Sequence, residues 1–409
     1  MAPPIPLRWA AILVVTLSSF LNYLDRQLLP ALAPTLKAEF GLTNAGYGLV
    51  LSAFSLTYAV CAPLAGWVVD RLGLVRGLVL VVAVWSLAGM GTGLAAGLAS
   101  LLLARALLGL GQAGGVPASG KAVAVYLPPR ERALGTATTQ IGLSLGAIAA
   151  PLAASWLAGG WGWRAAFVAT GALGFVWIPA WLAAARRIPA RGEPDPVRLD
   201  ARTLVSDRRL WGLVAATVLY MTLYSLWSNW TTVYLVEARG MTEHAANRTF
   251  AWIPPLAANA GGLFGGWLAL LSMRRGAGVI AARMKVNAWC AVLSLATAAV
   301  PWAPTTPAAV ALVSSSFFWV TAMSVNVYAM PLDLFGARRA ALATAFLTGA
   351  YGLMQTFVSP LVGAAVDRFG FGPVCAAGAA LPLAALAVLQ RTVAREPWPV
   401  GGDRSGTAA

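Results

Sequence analysis

Charged side chains are scarce in this sequence of 409 residues, and acidic ones are the scarcer kind. Only 11% of the residues are charged, with 14 acidic against 29 basic side chains, whereas 59% are hydrophobic. The mean hydropathy of +0.73 reflects that composition. A water-soluble domain could not bury so much apolar surface, which excludes the soluble globular class of protein.

Cysteine and histidine are also rare. The three cysteines, Cys61, Cys290 and Cys375, all lie within apolar runs, and His244 is the single histidine. Such residues support neither a disulfide framework nor a metal site, and the sequence has no phosphate-binding loop. We therefore expect no enzyme, no metal and no cofactor, and we interpret His244 as a solvated side chain of an external loop.

Long apolar runs make up most of the chain. A membrane-spanning helix needs roughly 20 predominantly apolar residues, and the short polar gaps between the runs leave no room for a large soluble domain. The runs predict about twelve transmembrane helices, near residues 9–31, 45–69, 77–96, 99–127, 134–158, 165–185, 211–236, 248–272, 279–300, 307–332, 341–366 and 372–390.

The net charge of +15 does not form one basic patch. Arginines gather in every second gap between the apolar runs, and the other gaps carry only scattered basic residues. This is the asymmetry of the positive-inside rule, which predicts a multi-pass protein of the cell (inner) membrane with both termini in the cytoplasm. The expected partners are the bilayer and a small molecule, not nucleic acid.

The polar segment 186–210 divides the apolar runs into two groups of six. We predict an N-terminal bundle over 1–185, a cytoplasmic linker over 186–210, a C-terminal bundle over 211–390 and a cytoplasmic tail over 391–409. Gly66-Trp67 recurs as Gly266-Trp267, and Ala150-Pro151-Leu152 is echoed by Ser359-Pro360-Leu361. The expected fold is therefore all-α, with two pseudo-symmetric six-helix bundles around a central site.

The gap after the second run contains Gly66, Asp70, Arg71, Gly73 and Arg76. Their spacing resembles the signature loop of the major facilitator superfamily, Gly-x-x-x-Asp-Arg-x-Gly-x-x-Arg. We expect the loop to act as a conformational latch, in which Asp70 accepts hydrogen bonds from arginines or helix N-termini in one state and releases them in the other.

Three of the charges within apolar runs are candidates for function. Arg105 in the fourth run, followed by Gly109 and Gly111, resembles the second motif of the same superfamily, and Asp25 and Arg26 are neighbours in the first run. Adjacent residues on a helix point about 100° apart, so Asp25 and Arg26 cannot share one environment. Because an unpaired buried charge is costly, we predict that Asp25 pairs with Arg105 while Arg26 faces the cavity and binds a substrate carboxylate.

Several further strings, taken in order, resemble the anion:cation symporter family, nearest its hexuronate and galactonate transporters. The resemblance runs over nearly the whole chain. The strings are Asn22-Tyr23-Leu24-Asp25-Arg26, the Arg105 motif, Gly162-Trp163-Arg164-Ala165-Ala166-Phe167 with Thr170-Gly171-Ala172-Leu173-Gly174, Phe250-Ala251-Trp252-Ile253-Pro254 and Pro331-Leu332-Asp333-Leu334-Phe335.

This resemblance implies secondary active transport of a sugar acid by alternating access, with Arg26 on the carboxylate and further contacts from Tyr23, Tyr58 and Gln140. One departure concerns coupling: proton-coupled relatives carry a glutamate where this chain has Gln112, which cannot titrate. Any protonation switch in the N-terminal half must then use Asp25. A coupled proton, a sodium ion, anion exchange and facilitated diffusion all remain open.

In the C-terminal half, amides and aromatic rings suit a polyhydroxylated ligand. The candidates are Trp227, Asn229, Asn326, Tyr351 and Gln355, which complete a substrate-binding set with Arg26, Tyr23, Tyr58, Gln112 and Gln140.

Two other functions stay open. A Spinster-like or drug-type carrier of a lipid or amphiphile belongs to the same superfamily and also has the Asn-Tyr-x-Asp-Arg string. A non-transporting membrane receptor or scaffold would need an added cytoplasmic output domain, which the short loops do not provide. The expected functional unit is a monomer.

Overall fold

The computed structural model of the protein describes residues 5–188 and 201–393, and these parts of the chain are helical without any strand. The helices are α1 (Ile5–Ala31), α2 (Ala33–Phe40), α3 (Asn44–Gly93), α4 (Leu98–Gln112), α5 (Gly115–Tyr126), α6 (Arg132–Arg187), α7 (Ala201–Val205), α8 (Arg208–Glu237), α9 (Glu243–Thr249), α10 (Ile253–Arg274), α11 (Val279–Leu293), α12 (Thr306–Phe369) and α13 (Phe371–Thr392), with short 3₁₀ helices at Pro129–Glu131 and Ser294–Trp302.

Ten segments of the described residues are long and apolar enough to cross a membrane. Two of them, of 50 and 59 residues, are far longer than one crossing requires. Each of the two bends at a glycine with a left-handed backbone, Gly73 (φ 76°) in the first and Gly162 (φ 84°) in the second. A side chain would be strained at such a φ, so glycine is needed where the chain reverses direction. Counted as two crossings each, these segments confirm the expected twelve.

Large apolar side chains are exposed all along the outside of the bundle. Trp156, Leu263 and Trp302, for example, are each more than two-thirds exposed. A soluble protein rarely leaves such side chains in water over so wide a surface, whereas lipid tails solvate them. The outer surface therefore fits a multi-pass membrane protein.

The two halves repeat each other in structural detail. Trp67 and Trp267 of the repeated dipeptides are 54% and 55% exposed. A second repeat, which the sequence analysis did not find, is Gly41-Leu42-Thr43 and Gly240-Met241-Thr242. Both glycines have positive φ, and each threonine caps the helix that follows by accepting a hydrogen bond from a backbone amide. Equivalent turns thus begin the second crossing of each half.

The predicted linker, 186–210, is only partly described by the structure. Residues 189–200 and 394–409 lie outside the described residues. The described part of the linker is not wholly polar surface, because it contains the short helix α7, whose Leu204 is buried in an apolar cluster with α8 residues such as Leu210. The segment is anchored to the C-terminal half by the burial of an apolar side chain.

Candidate functional site

A polar cavity lies between the two halves. Its empty volume is about 410 Å³, which includes space open to solvent. Helices α1, α3 and α4 supply one wall and helices α8 and α12 supply the other. The lining residues are Tyr23, Arg26, Gln27, Leu51, Phe54, Arg105, Tyr224, Ser228, Asn229, Tyr351 and Gln355.

Arg26 is held in the cavity wall by one amide and three aromatic rings. Its Nε donates a hydrogen bond of 3.0 Å to Oε1 of Gln112, and Nε2 of Gln112 in turn donates to the backbone carbonyl of Asn22. The guanidinium carbon lies 4.9, 4.7 and 4.6 Å from the ring centroids of Tyr23, Phe54 and Tyr58. Cation–π contacts of this kind stabilise the charge without neutralising it, so Arg26 remains able to attract an anion.

Arg105 lies deeper in the same wall, with only 1% of its surface exposed. Its guanidinium carbon is 5.4 Å from the centroid of the Phe54 ring. The buried Nε and Nη1 atoms have no hydrogen-bond partner in the part of the chain that the structure describes. Such unsatisfied donors on a charged group are costly in a buried place, which makes Arg105 a candidate for contact with a ligand.

The predicted pair of Asp25 with Arg105 is not formed. Within the described chain, no Lys or Arg nitrogen lies within 4.0 Å of the Asp25 carboxylate, although Arg105 is near enough to attract it electrostatically. The two side chains point to different parts of α3. Asp25 packs beside Gly89, in the part of α3 after Gly73, whereas Arg105 lies over Phe54, in the part of α3 before Gly73. The predicted separation of Asp25 from Arg26 is nevertheless seen, because only Arg26 lines the cavity.

The structure brings most of the predicted binding residues to the cavity. Tyr23, Arg26, Asn229, Tyr351 and Gln355 line it directly. Gln112 and Tyr58 stand behind Arg26 and contact its guanidinium, as described above.

Three predicted binding residues lie elsewhere. Trp227 is buried in the C-terminal half, where its Nε1 donates 2.9 Å to Oγ of Ser316. Asn326 is fully buried and donates to the carbonyls of Gly265 and Ala322. Gln140 is exposed and does not line the cavity. The side chains of Trp227 and Asn326 thus form hydrogen bonds to neighbouring helices and do not face the cavity.

Sequence reasoning missed Gln27 and Phe54. Gln27 follows Arg26 directly, and its Nε2 donates 2.8 Å to Oγ of Ser228, joining the two walls of the cavity. The guanidinium groups of Arg26 and Arg105 both lie over the Phe54 ring, and this ring stacks on Tyr58 with centroids 5.7 Å apart. The available signal was its position one helical turn before Tyr58, on the same face of the helix.

The two halves meet at the end of the bundle that carries α2 and α9, here named the α2 end. A gate cluster of Thr35, Lys37 and Asn44 from the first half and Glu237, Glu243 and Asp367 from the second joins them there. Lys37 forms an ion pair with Glu237, while the backbone amides of Asn44 and Ala45 both donate 2.9 Å to the Asp367 carboxylate. Thr35 donates to Glu243 from its amide and its hydroxyl, at 2.8 and 2.9 Å.

Apolar and backbone contacts reinforce the gate cluster. The Tyr47 ring meets Trp230 edge-on, with centroids 5.1 Å apart, and its hydroxyl donates 2.9 Å to the carbonyl of Asn229. A Cβ built on Gly48 would lie 2.5 Å from the carbonyl oxygen of Ser359, so α3 and α12 approach backbone to backbone. The cavity is therefore closed towards the α2 end.

His244 is exposed, as expected, but it lies in the short helix α9 and not in a loop, and it takes part in this closed end. Nδ1 of His244 in α9 lies 3.0 Å from Oγ of Ser155 in α6. The ring packs against Gly159, where an added Cβ would be 3.2 Å from Nδ1. A side chain of an external helix thus contacts the opposite half.

At the other end of the bundle, Asp70 of the signature loop accepts a hydrogen bond of 3.0 Å from Nζ of Lys121 in α5. The prediction named arginines or helix N-termini as its partners, and the partner seen here is a lysine. Arg71 instead lies over the Trp67 ring, 5.3 Å from its centroid. The Asp70 side chain is 74% exposed, which fits a contact that can be made and released.

Comparison with known proteins gives one family and several similar relatives. The family model described as the Major Facilitator Superfamily matches residues 15–355. The hexuronate transporter of Escherichia coli K12 is 28% identical over 411 residues, covering 96% of this chain and 95% of the relative. The galacturonate transporter of Dickeya chrysanthemi is 29% identical, covering 65% of this chain and 82% of that one.

A solved structure has the same architecture. The crystal structure of a bacterial homologue of the human lysosomal transporter Spinster, in an inward-facing and unoccupied conformation, matches with a TM-score of 0.77. The alignment covers 96% of both chains at 23% identity.

Proposed function

Because the chain belongs to the Major Facilitator Superfamily, we propose that it is a secondary transporter of a small organic anion, a sugar acid such as a hexuronate or an aldonate. The observation that carries this proposal is the Arg26 guanidinium, which faces the cavity with a neutral amide and aromatic rings as its partners. A carboxylate is the ligand that such a guanidinium binds best. The similar relatives named for hexuronate and galacturonate support the same class of substrate.

Hydroxyl and amide groups around Arg26 suit the rest of a sugar acid. Tyr224, Ser228, Asn229, Tyr351 and Gln355 present hydrogen-bonding groups from the opposite wall. Aromatic faces with a few polar groups are typical of sites for small polar ligands. The N-terminal half would bind the carboxylate, and the C-terminal half the polyol chain.

Transport would proceed by alternating access, with the two halves rocking about the cavity. The gate cluster supports a state that is closed at the α2 end. Given the arrangement of basic residues along the chain, the α2 end would face outwards, with both termini in the cytoplasm and the protein in the inner membrane. We propose a monomer as the functional unit, since each monomer contains both walls of the cavity.

A coupled cation would make accumulation possible. Moving one negative charge into a negative interior is opposed by about 2.3 kcal/mol per 100 mV of membrane potential. Among the described residues, Asp25 is the one carboxylate near the two arginines, and we propose it as the group that takes up a proton. Sodium coupling would leave the role of Asp25 electrostatic.

The test is uptake of radiolabelled glucuronate and galactonate into proteoliposomes, with and without an inward proton gradient. We expect saturable uptake that Arg26→Ala abolishes and that a proton gradient drives only while Asp25 is present, as judged with Asp25→Asn. Uptake that is indifferent to pH would contradict proton coupling but not anion transport. Purified protein that retains its thermal transition but takes up no sugar acid would contradict the proposed function.

A further inference from the structure

The cavity carries two positive charges and no negative one. Arg26 and Arg105 are the charged side chains among its lining residues in the described parts of the chain, and no Asp or Glu lines it. Both guanidinium carbons lie over the Phe54 ring, so their separation cannot exceed the sum of 4.7 and 5.4 Å. Two like charges at that distance in a partly buried site repel each other, and an anion between them would relieve the repulsion.

Among the described residues, no carboxylate forms an ion pair with Arg105. Its Nε and Nη1 are buried without a hydrogen-bond partner there, and Asp25 does not approach within ion-pair distance. The residue seven positions further along, which shares its helix face, is Gln112, an uncharged amide that hydrogen bonds to Arg26 and Asn22. A buried guanidinium with free donors is stabilised chiefly by a ligand that supplies the missing acceptors.

We propose that the cavity is selective for a dianionic sugar acid, with one carboxylate on Arg26 and the second on Arg105. This inference rests on the proposed transport of sugar acids and narrows it to molecules with a carboxylate at each end of a hydroxylated chain. Both carboxylates of such a molecule are ionised at neutral pH. Gln112 sets the selectivity, because a carboxylate at that position would cancel one of the two positive charges.

Galactonate and galactarate form a matched pair of probes. They share the same hydroxylated chain and differ at one terminal carbon, which is a hydroxymethyl group in galactonate and a carboxylate in galactarate. Binding of each to the purified full-length protein is measured by isothermal titration calorimetry at neutral pH, with the neutral polyol galactitol as the uncharged reference. We expect galactarate to bind about tenfold more tightly than galactonate or better, since each well-placed charge pair in a desolvated site has at least that effect.

Two variants assign the effect to residues. Arg105→Gln should weaken galactarate binding about tenfold more than it weakens galactonate binding. Gln112→Glu should reverse the preference in favour of galactonate, and it tests the charge balance even where Arg105→Gln does not fold. Arg164→Gln is the control for loss of one positive charge, because Arg164 pairs with Glu39 at 2.8 Å, outside the cavity.

Three results of these binding measurements would refute the inference or one part of it. Equal affinity for the two acids in the parent protein would refute selectivity for a dianion and leave sugar-acid transport intact. Equal losses for both acids in Arg105→Gln would refute Arg105 as the contact of the second carboxylate. Absence of binding for both acids, by protein with an intact thermal transition, would refute the proposed function together with the inference.

Discussion

Nε of Arg26 in α1 donates a hydrogen bond of 3.0 Å to Oε1 of Gln112 in α4, so the principal cation of the cavity is oriented by a neutral amide. An amide fixes the direction of the guanidinium without reducing its charge. Arg26 would therefore be directed at a substrate carboxylate and not committed to a partner within the protein.

Replacing Gln112 with leucine removes that orientation while keeping the side-chain volume similar. Hydrogen bonds to charged groups contribute about 1.5–3 kcal/mol, so the KM for sugar-acid uptake should rise by roughly tenfold or more. The measurement is concentration-dependent uptake in proteoliposomes. Thr138→Val is the control, since the Thr138 hydroxyl bonds only to the carbonyl of Leu134 in its own helix. An unchanged KM in Gln112→Leu would show that Arg26 needs no orientation.

Loss of the Lys37–Glu237 ion pair should weaken closure at the α2 end. Glu237→Gln removes one charge, and the double variant Lys37→Glu/Glu237→Lys restores the pair with reversed signs. Asn44, which contacts both partners, can turn its amide to suit either arrangement. We expect Glu237→Gln to shift the population towards a more open α2 end and the double variant to shift it back.

The distance between the halves at this end reports that shift. Spin labels at Ala38 and Ala238 are suitable, because both positions are exposed and each adjoins one partner of the ion pair. Pulsed electron paramagnetic resonance should show a longer-distance population in Glu237→Gln. Identical distance distributions in the parent, single and double variants would mean that the ion pair does not contribute to closure.

A methyl group at Gly48 should prevent the same closure by steric overlap. The added Cβ would lie 2.5 Å from the Ser359 carbonyl oxygen and 2.6 Å from Cα of Pro360, and both are backbone atoms that cannot turn away. Gly48→Ala should therefore lengthen the Ala38–Ala238 distance and slow uptake several-fold. Gly349→Ala in α12 is the matched control, because its Cβ would meet nothing within 4 Å. Normal distances and uptake in Gly48→Ala would contradict the close approach of α3 and α12.

Trp227 should affect stability and not substrate affinity. Trp227→Phe removes the donor to Ser316 and leaves a small cavity in a buried polar chain that continues from Ser316 to Thr297 at 2.7 Å. The expected loss of stability is about 1–3 kcal/mol, seen as a lower thermal midpoint of the purified protein with an unchanged KM. Gln355→Ala, which changes the cavity wall, should raise the KM and leave the thermal midpoint unchanged. A raised KM in Trp227→Phe would contradict this prediction and indicate that Trp227 contributes to substrate binding.

Much of the membrane architecture could be predicted from the sequence. The twelve crossings follow from apolar runs, because a bilayer requires each crossing to be a continuous apolar helix regardless of its neighbours. Arg26 could be identified in the same way as a candidate site residue, since a charge deep inside such a run is costly. The separation of Asp25 from Arg26 needed only the 100° turn of a helix.

Pairings between helices could not be predicted in this way. The predicted pair of Asp25 with Arg105 is not formed, because the distance between them depends on how α1 and α4 are rotated against α3. Trp227 and Asn229 are two residues apart in one helix, yet one bonds to Ser316 in the core and the other lines the cavity. The contacts of Lys37 with Glu237 and of His244 with Ser155 join residues far apart in the chain.

The sequence by itself determined that the chain is a membrane protein, how often it crosses the membrane and which charges are candidates for function, because hydrophobicity and burial cost are properties of single residues and short segments. The tertiary structure decided which of those residues share the cavity, that Nε and Nη1 of Arg105 have no hydrogen-bond partner among the described residues, and that glycines such as Gly48 close the α2 end. These depend on helix rotation and backbone approach, which are set by packing among all the helices at once.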